Sequence, residues 1–290
     1  MHFSIHYVTE YQYSAPVSDN LNALRVRPAT TANQRCDEFH LKIDPETRLG
    51  RHGDYFGTEV IEFGISRPHS ALTIDVRARV VTSEPPEPPD PDWASIESAA
   101  YLEAAGEFLL ASIVAPPPNA LTEFDVVADA ATPLQSALML CELIPDRFAY
   151  RRGITYVGST VADLLDIGAG VCQDFVHLAL IVLRNSGIAA RYVSGYLFAG
   201  PSDGSGDSVE VDTHAWLEVQ IPGVGGRGEP VWVGLDPTNR TPASERYVKI
   251  GHGRHYDDVP PIKGVYRGGP SRLSARVTMT RLDPTTSARA

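Results

Sequence analysis

Apolar and polar positions alternate through most of the first 82 residues. Phe3, Ile5 and Tyr7 are separated by polar neighbours. The same two-residue period returns at Leu24 and Val26, at Phe39, Leu41 and Ile43, at Ile61, Phe63 and Ile65, and at Leu72, Ile74, Val76, Ala78 and Val80. Successive side chains on a strand point to opposite faces, so this pattern predicts half-buried strands. Turn chemistry stands between them: Ser14-Ala15-Pro16, Asp44-Pro45-Glu46, His52-Gly53-Asp54 and Arg67-Pro68-His69. The expectation is an N-terminal antiparallel β-sandwich-like domain over residues 1–82.

The pattern then breaks. Residues 83–92 hold five prolines and four acidic residues, a composition that packs no element and predicts a stiff, solvated connector. Residues 83–95 are taken as a linker and residues 96–290 as a second domain. Helical spacing follows, with Tyr101, Leu102, Ala105, Phe108 and Leu109 on one face, before Pro116-Pro117-Pro118 interrupts. Thr132-Pro133 opens another helix, whose apolar face carries Leu134, Ala137, Leu138, Cys141 and Ile144. Thr160-Val161-Ala162-Asp163 reads as the capped start of a short helix that ends at Gly168. A further helix runs from Cys172 to about Gly187. Strands are predicted over residues 188–197, 215–221 and 231–235. Helices followed by an antiparallel sheet make this region α+β. Two glycine-rich stretches, residues 200–208 and 222–228, interrupt the sheet; such loops act as lids beside a reactive group or are plain solvent loops.

The candidate chemistry centres on Gly168-Ala169-Gly170-Val171-Cys172-Gln173-Asp174-Phe175. A glycine-broken turn runs into an apolar helix with a cysteine at the junction. Helix N-termini carry unpaired N–H groups and the positive end of the dipole, which favour an anion such as a thiolate. The alternative is a small buried residue opening a core helix. Thiol catalysis also needs a histidine to move the proton and a third group to orient it. His214 begins one predicted strand and Asp236 ends the next, so a hairpin would set them side by side. Cys36 and Cys141 read as inert apolar positions.

Bulk composition narrows the setting. The net charge is −11, which argues against sequence-independent nucleic-acid binding. Three widely spaced cysteines and no Cys-x-x-Cys fit a reducing compartment. The N-terminus lacks a signal-peptide pattern, and no apolar run nears the ~20 residues of a membrane span. A cytoplasmic chain without membrane association is expected; its oligomeric state is left undefined.

Three motifs taken in order alter the odds: Gly170-Val171-Cys172-Gln173-Asp174-Phe175-x-His177-Leu178, Thr213-His214-Ala215-Trp216-x-Glu218-Val219 and Trp232-x-x-x-Asp236-Pro237-Thr238-Asn239. Together they resemble the bacterial transglutaminase-like family, a branch of the papain-like superfamily with a Cys-His-Asp triad. Tyr11, Tyr13, Pro16, Val17 and Leu24-Arg25-Val26-Arg27-Pro28 are similar to the β-rich domain that precedes the core in this family. The resemblance implies a papain-like/transglutaminase core over residues 96–290. It also implies cofactor-free acyl transfer on a peptide or protein substrate. Cys172 would be the nucleophile, His214 the base and then acid, and Asp236 the orienting carboxylate. The Cys172 N–H would serve the oxyanion, with Gln173 as an assistant. Trp216 and Trp232 would form core or pocket wall, and Tyr256, with Arg254 and Asp258, would border the cleft. His255 stands where the family usually has an acid. His252 and His255 form His-x-x-His, but no further ligands accompany them, so no metal site is assigned. Transglutaminase-like domains also occur as non-catalytic binding modules, which is the alternative function.

Overall fold

One strand, β1 (His2–Leu24), organises the first half of the molecule in the computed structural model, which describes residues 1–111, 116, 118–156, 158–200, 208–223 and 229–282. The first half of β1 lies between β5 (His69–Thr82) and β15 (Ser271–Arg281), with Phe3 opposite both Val80 and Arg281. Its second half lies between β4 (Glu59–Ile65) and β14 (Ile262–Arg267), with Leu24 opposite both Ile61 and Ile262. β2 (Gln34–Asp44), β3 (Leu49–Gly53) and β9 (Ser208–Val211) extend the edges beyond β5, β4 and β15. This antiparallel sheet curls, because Phe3, Ile5 and Ile74 from one end and Leu24, Ile61 and Phe63 from the other enter one core. The alternation in the sequence marks these inward positions.

Two features of this sheet depart from the sequence reading. Ser14-Ala15-Pro16 does not end the strand. β1 runs through it with a bulge, Gln12 facing Ala71 and Val17 facing His69, and the Ser14 N–H finds Pro270 O at 3.0 Å. Second, β14 and β15 come from the far end of the chain. Residues 262–281, expected in the second domain, complete the N-terminal sheet and contribute Val277 and Met279 to its core.

The second half packs helices on an antiparallel sheet. α1 (Ala99–Leu109), a 3-10 segment (Pro118–Asp129), α2 (Pro133–Arg147), α3 (Val161–Ile167) and α4 (Cys172–Asn185) precede β8 (Ala190–Leu197), β10 (Thr213–Ile221), β11 (Val231–Asp236), β12 (Thr241–Pro242) and β13 (Tyr247–Gly253). The sheet order is β12-β11-β10-β8-β13. β10 turns Ala215, Leu217 and Val219 toward α4, a helix buried on nearly every side through Phe175, Val176, Ala179 and Leu183. α1 is narrower in its contacts than its pattern predicts: Tyr101 and Ala105 are buried, whereas Leu102 is exposed. The Tyr101 hydroxyl explains the preference, accepting the Ala189 N–H at 2.8 Å and so tying α1 to the edge of β8.

The two halves share a core, in which Tyr196, Phe198, Val248 and Ile250 of β8 and β13 meet the curled sheet. Gln34 makes a two-point bond to the β13 backbone, donating to Lys249 O at 2.7 Å and accepting the Lys249 N–H at 2.8 Å. The proline-rich residues 83–92 form no regular element. Instead of standing free in solvent, residues 84–89 wall a cavity over the sheet and Pro91 is buried. Most of both glycine-rich stretches, and Pro117, lie outside the described residues. Among the described residues no helix is long and apolar enough to cross a membrane.

Candidate active site

The turn before α4 is built by a glycine and an aspartate. α3 ends at Gly168, whose φ of 72° suits glycine. The next two residues form β7 (Ala169–Gly170), parallel to β6 (Ala149–Tyr150). A Cβ on Gly170 would stand 2.7 Å from Asp174 Oδ2 and 2.9 Å from Leu164 Cδ1. Asp174 Oδ2 accepts the Val171 N–H at 2.8 Å and the Thr155 hydroxyl at 2.7 Å. Val171 has no side-chain acceptor to return, so Asp174 alone caps the entry from the third helical position. Burial lifts the Asp174 carboxyl above its ordinary value, opposed by these two bonds. Cys172 is the first residue of α4 and half-buried, where N–H groups lack intrahelical acceptors.

His214 and Asp236 lie on adjacent antiparallel strands, whose register sets Leu217 opposite Leu235. His214 Nε2 bonds Asp236 Oδ2 at 2.7 Å. The same oxygen accepts Tyr247 Oη at 2.8 Å and Asn239 Nδ2 at 2.6 Å. Asp236 Oδ1 takes the Thr238 N–H at 2.8 Å and the Asn239 N–H at 3.2 Å. The carboxylate is fully buried. Burial alone would raise its pKa, but these donors, His214 first, hold it below the ordinary value. For His214, burial disfavours the charge most strongly. The hydrogen bonds with Asp236 and Cys172, and the charges of both, overcome it and raise the imidazole to about 9. With Nε2 engaged by Asp236, Nδ1 is the ring nitrogen left for the Cys172 thiol. Trp216 lies nearly parallel to His214, ring centroids 6.3 Å apart, and Tyr247 meets Trp216 edge-on at 5.3 Å.

The structure therefore brings Cys172, His214 and Asp236 together. Trp216 stands behind the histidine as packing. Gln173 lies beside Cys172 and makes no side-chain hydrogen bond among the described residues. Tyr256 is one ring removed from the thiol, edge-on to Tyr192 at 6.1 Å. Its N–H donates to His177 Nε2 at 3.3 Å, and burial lowers His177 to about 4; this histidine supports the Tyr256 turn. His255 Nδ1 accepts the Asp257 N–H at 3.2 Å, whereas His252 Nε2 meets Arg191 at 3.1 Å. The His-x-x-His pair is thus divided between two environments, and no metal-holding group of three or more His, Cys, Asp or Glu occurs among the described residues.

Sequence reading missed Tyr247 and Asn239 as Asp236 partners, and Tyr150 and Tyr192 as thiol neighbours. Burial first, and then the nearby Cys172 charge, hold both phenols above their ordinary pKa. Asn239 follows Asp236 closely enough to suggest a side-chain turn, but nothing local marks the tyrosines. Burial chiefly pushes up the thiols of Cys36 and Cys141, and Cys141, on α2, also feels the Asp236 charge.

The profile of the bacterial transglutaminase-like N-terminal region matches residues 3–81, and that of the transglutaminase-like superfamily matches residues 122–237. An uncharacterized protein of Mycobacterium leprae is 34% identical over 278 residues, covering 94% of this chain and 96% of its own. The chain belongs to the bacterial transglutaminase-like family. A protein-glutamine gamma-glutamyltransferase of Pseudomonas aeruginosa is 31% identical over 145 residues, which is 46% of this chain but 20% of that one. A candidate cysteine protease from Cytophaga hutchinsonii has a similar fold, with a TM-score of 0.74 at 22% identity over 98% of this chain and 91% of that one.

Proposed function

We propose that this chain catalyses thiol-dependent acyl transfer on a carboxamide or peptide bond, with Cys172 as nucleophile, His214 as proton carrier and Asp236 as orienting carboxylate. The observation that carries the reading is the 2.7 Å His214–Asp236 bond on a fully buried, multiply hydrogen-bonded carboxylate, with the other edge of the ring left to Cys172. An imidazole raised to about 9 holds a proton at neutral pH, which favours a thiolate–imidazolium pair.

The Cys172 sulfur attacks the acyl carbon, and the carbonyl π electrons move to oxygen. The Cys172 N–H at the α4 N-terminus is placed to donate to that oxyanion. When the carbonyl re-forms, the carbon–nitrogen bond breaks. His214 gives its proton to the departing ammonia or amine, leaving a thioester. A water or a second amine then attacks the thioester and loses its proton to His214. The thiolate leaves, restoring the starting pair. Water gives hydrolysis and an amine gives cross-linking.

Mass spectrometry of glutamine-containing peptides incubated with the protein, with and without a primary amine, tests the reading. Free acid or an amine adduct, each lost in Cys172→Ala, is the expected result. Unchanged peptides in both conditions, together with equal and slow alkylation of all three cysteines in the native protein, would instead identify a binding module.

A further inference from the structure

The opposite face of the same sheet holds a second set of chemistry. β10 sends Ala215, Leu217 and Val219 to α4, while Trp216 and Glu218 line a cavity of about 630 Å³. Its roof is the proline-rich strap, residues 84–89. That volume falls in the usual range for small-molecule sites. Gly234 helps to keep it open: a Cβ there would stand 2.7 Å from Ala243 Cβ and 3.7 Å from the Trp216 indole nitrogen.

The charges of this wall do not cancel. Glu218 accepts Lys249 Nζ at 2.6 Å and Arg191 Nε at 2.6 Å, and all three side chains are largely buried. Two cations thus meet one carboxylate. His252, on the far side of Arg191, adds no balancing charge and is held neutral, its pKa lowered to about 3 by burial and by the two cations. Glu84 and Glu87 at the strap are exposed and pair with neither Lys249 nor Arg191 among the described residues. One carboxylate serves two buried cations, and a bound anion would balance the second charge. Trp216, 2% exposed, forms one wall of the cavity. Beside these polar groups the lining is apolar and flat. Trp232 lies with the Arg191 guanidinium 3.8 Å over its ring centroid, and Pro85, Pro88 and Leu138 also line the cavity, from the roof and α2.

We propose that this cavity is a binding site for a small organic carboxylate with a flat apolar body. Its carboxylate meets Lys249 and Arg191, and its body lies between Trp232 and the proline strap. The site is separate from the thiol, but its Trp216 wall packs on His214, so an occupant touches the residue that backs the proton carrier. The inference does not rest on the acyl-transfer reading, because its test measures binding alone.

The test is a titration of the Cys172→Ala chain with 4-phenylbutyrate and with its neutral analogue 4-phenylbutyramide. Intrinsic tryptophan fluorescence reports it, since two of the three tryptophans, Trp216 and Trp232, line the cavity. The expected result is saturable one-site binding of the carboxylate, with the amide at least about tenfold weaker. Lys249→Met, shown to be folded by circular dichroism, loses at least about tenfold in affinity for the carboxylate. Should that variant not fold, Trp232→Leu carries the same expectation through loss of the flat wall. Equal affinity for acid and amide overturns the proposal. So does the absence of saturation up to about 10 mM, or wild-type affinity in a folded variant.

Discussion

Tyr247 and His214 bond the same oxygen. The Tyr247 hydroxyl donates to Asp236 Oδ2 at 2.8 Å and His214 Nε2 meets it at 2.7 Å. Tyr247 comes from β13, at the far edge of the sheet from β11. The carboxylate is therefore held from both sides, and the imidazole that bonds it inherits a fixed direction.

Tyr247→Phe should cost about 1.5–3 kcal/mol at neutral pH, the usual range for a hydrogen bond to a charged group. The pH dependence has a definite sign. Asp236 has a depressed folded-state pKa, so its contribution is present above the unfolded value near 3.9 and fades as pH falls through the folded value. The difference in melting temperature between wild type and variant should thus be largest near pH 7 and shrink toward pH 3. A difference independent of pH would mean that Tyr247 acts by packing alone.

His214 should titrate high because of Cys172 as well as Asp236. NMR of the ring protons should place its pKa well above 6.5, near the value of about 9, and Cys172→Ala should lower it. A raised folded-state pKa stabilises fully below the unfolded value near 6.5, and that contribution is lost as pH rises through about 9. Its ceiling is on the order of 3 kcal/mol. Iodoacetamide should label Cys172 well before Cys36 and Cys141 at pH 7, and His214→Ala should slow that labelling. Equal rates with and without His214 would sink the ion-pair assignment.

How much of this was legible in the sequence follows from how local each cause is. The alternation at residues 72–80, the Thr160 cap and the helix opening at Cys172 are nearest-neighbour patterns, and the elements stand where those patterns put them. His214 beside Asp236 needed only a hairpin between consecutive strands. Tyr247, Tyr192 and Tyr150 reach the site through sheet order and packing, which no short window encodes. The same is true of β15 joining β1, a pairing between the two ends of the chain. Pro16 misled for the opposite reason: local turn chemistry is real there, but a bulge absorbs it because β5 pairs with β1 on either side of it, at Gln12 and again at Val17.

Gly170→Ala tests whether the turn before α4 positions the thiol. The added methyl would overlap Asp174 Oδ2 and Leu164 Cδ1, so the carboxylate that caps Val171 must move. The expected loss is about 1–3 kcal/mol of stability, together with at least about a tenfold drop in Cys172 alkylation rate at pH 7. Asp174→Asn, which keeps an acceptor for the Val171 N–H, should retain most of that rate. If Gly170→Ala melts earlier but labels as fast as wild type, the turn is structural support and does not aim the sulfur.

Glu218→Gln probes the buried charges on the other face of β10. Lys249 and Arg191 overcome the burial penalty on Glu218 and lower it to about 2. Removing its charge leaves two buried cations, so a loss of about 3–5 kcal/mol is expected at pH 7. Because the folded pKa is depressed, the contribution of Glu218 is complete above the unfolded value near 4.5 and declines as pH falls toward about 2. Chemical denaturation at pH 7 and at pH 3 should therefore show a smaller penalty for the variant at the lower pH. A penalty that stays constant, or grows, as the solution is acidified would contradict the assignment of Glu218 as the ionised partner of both cations.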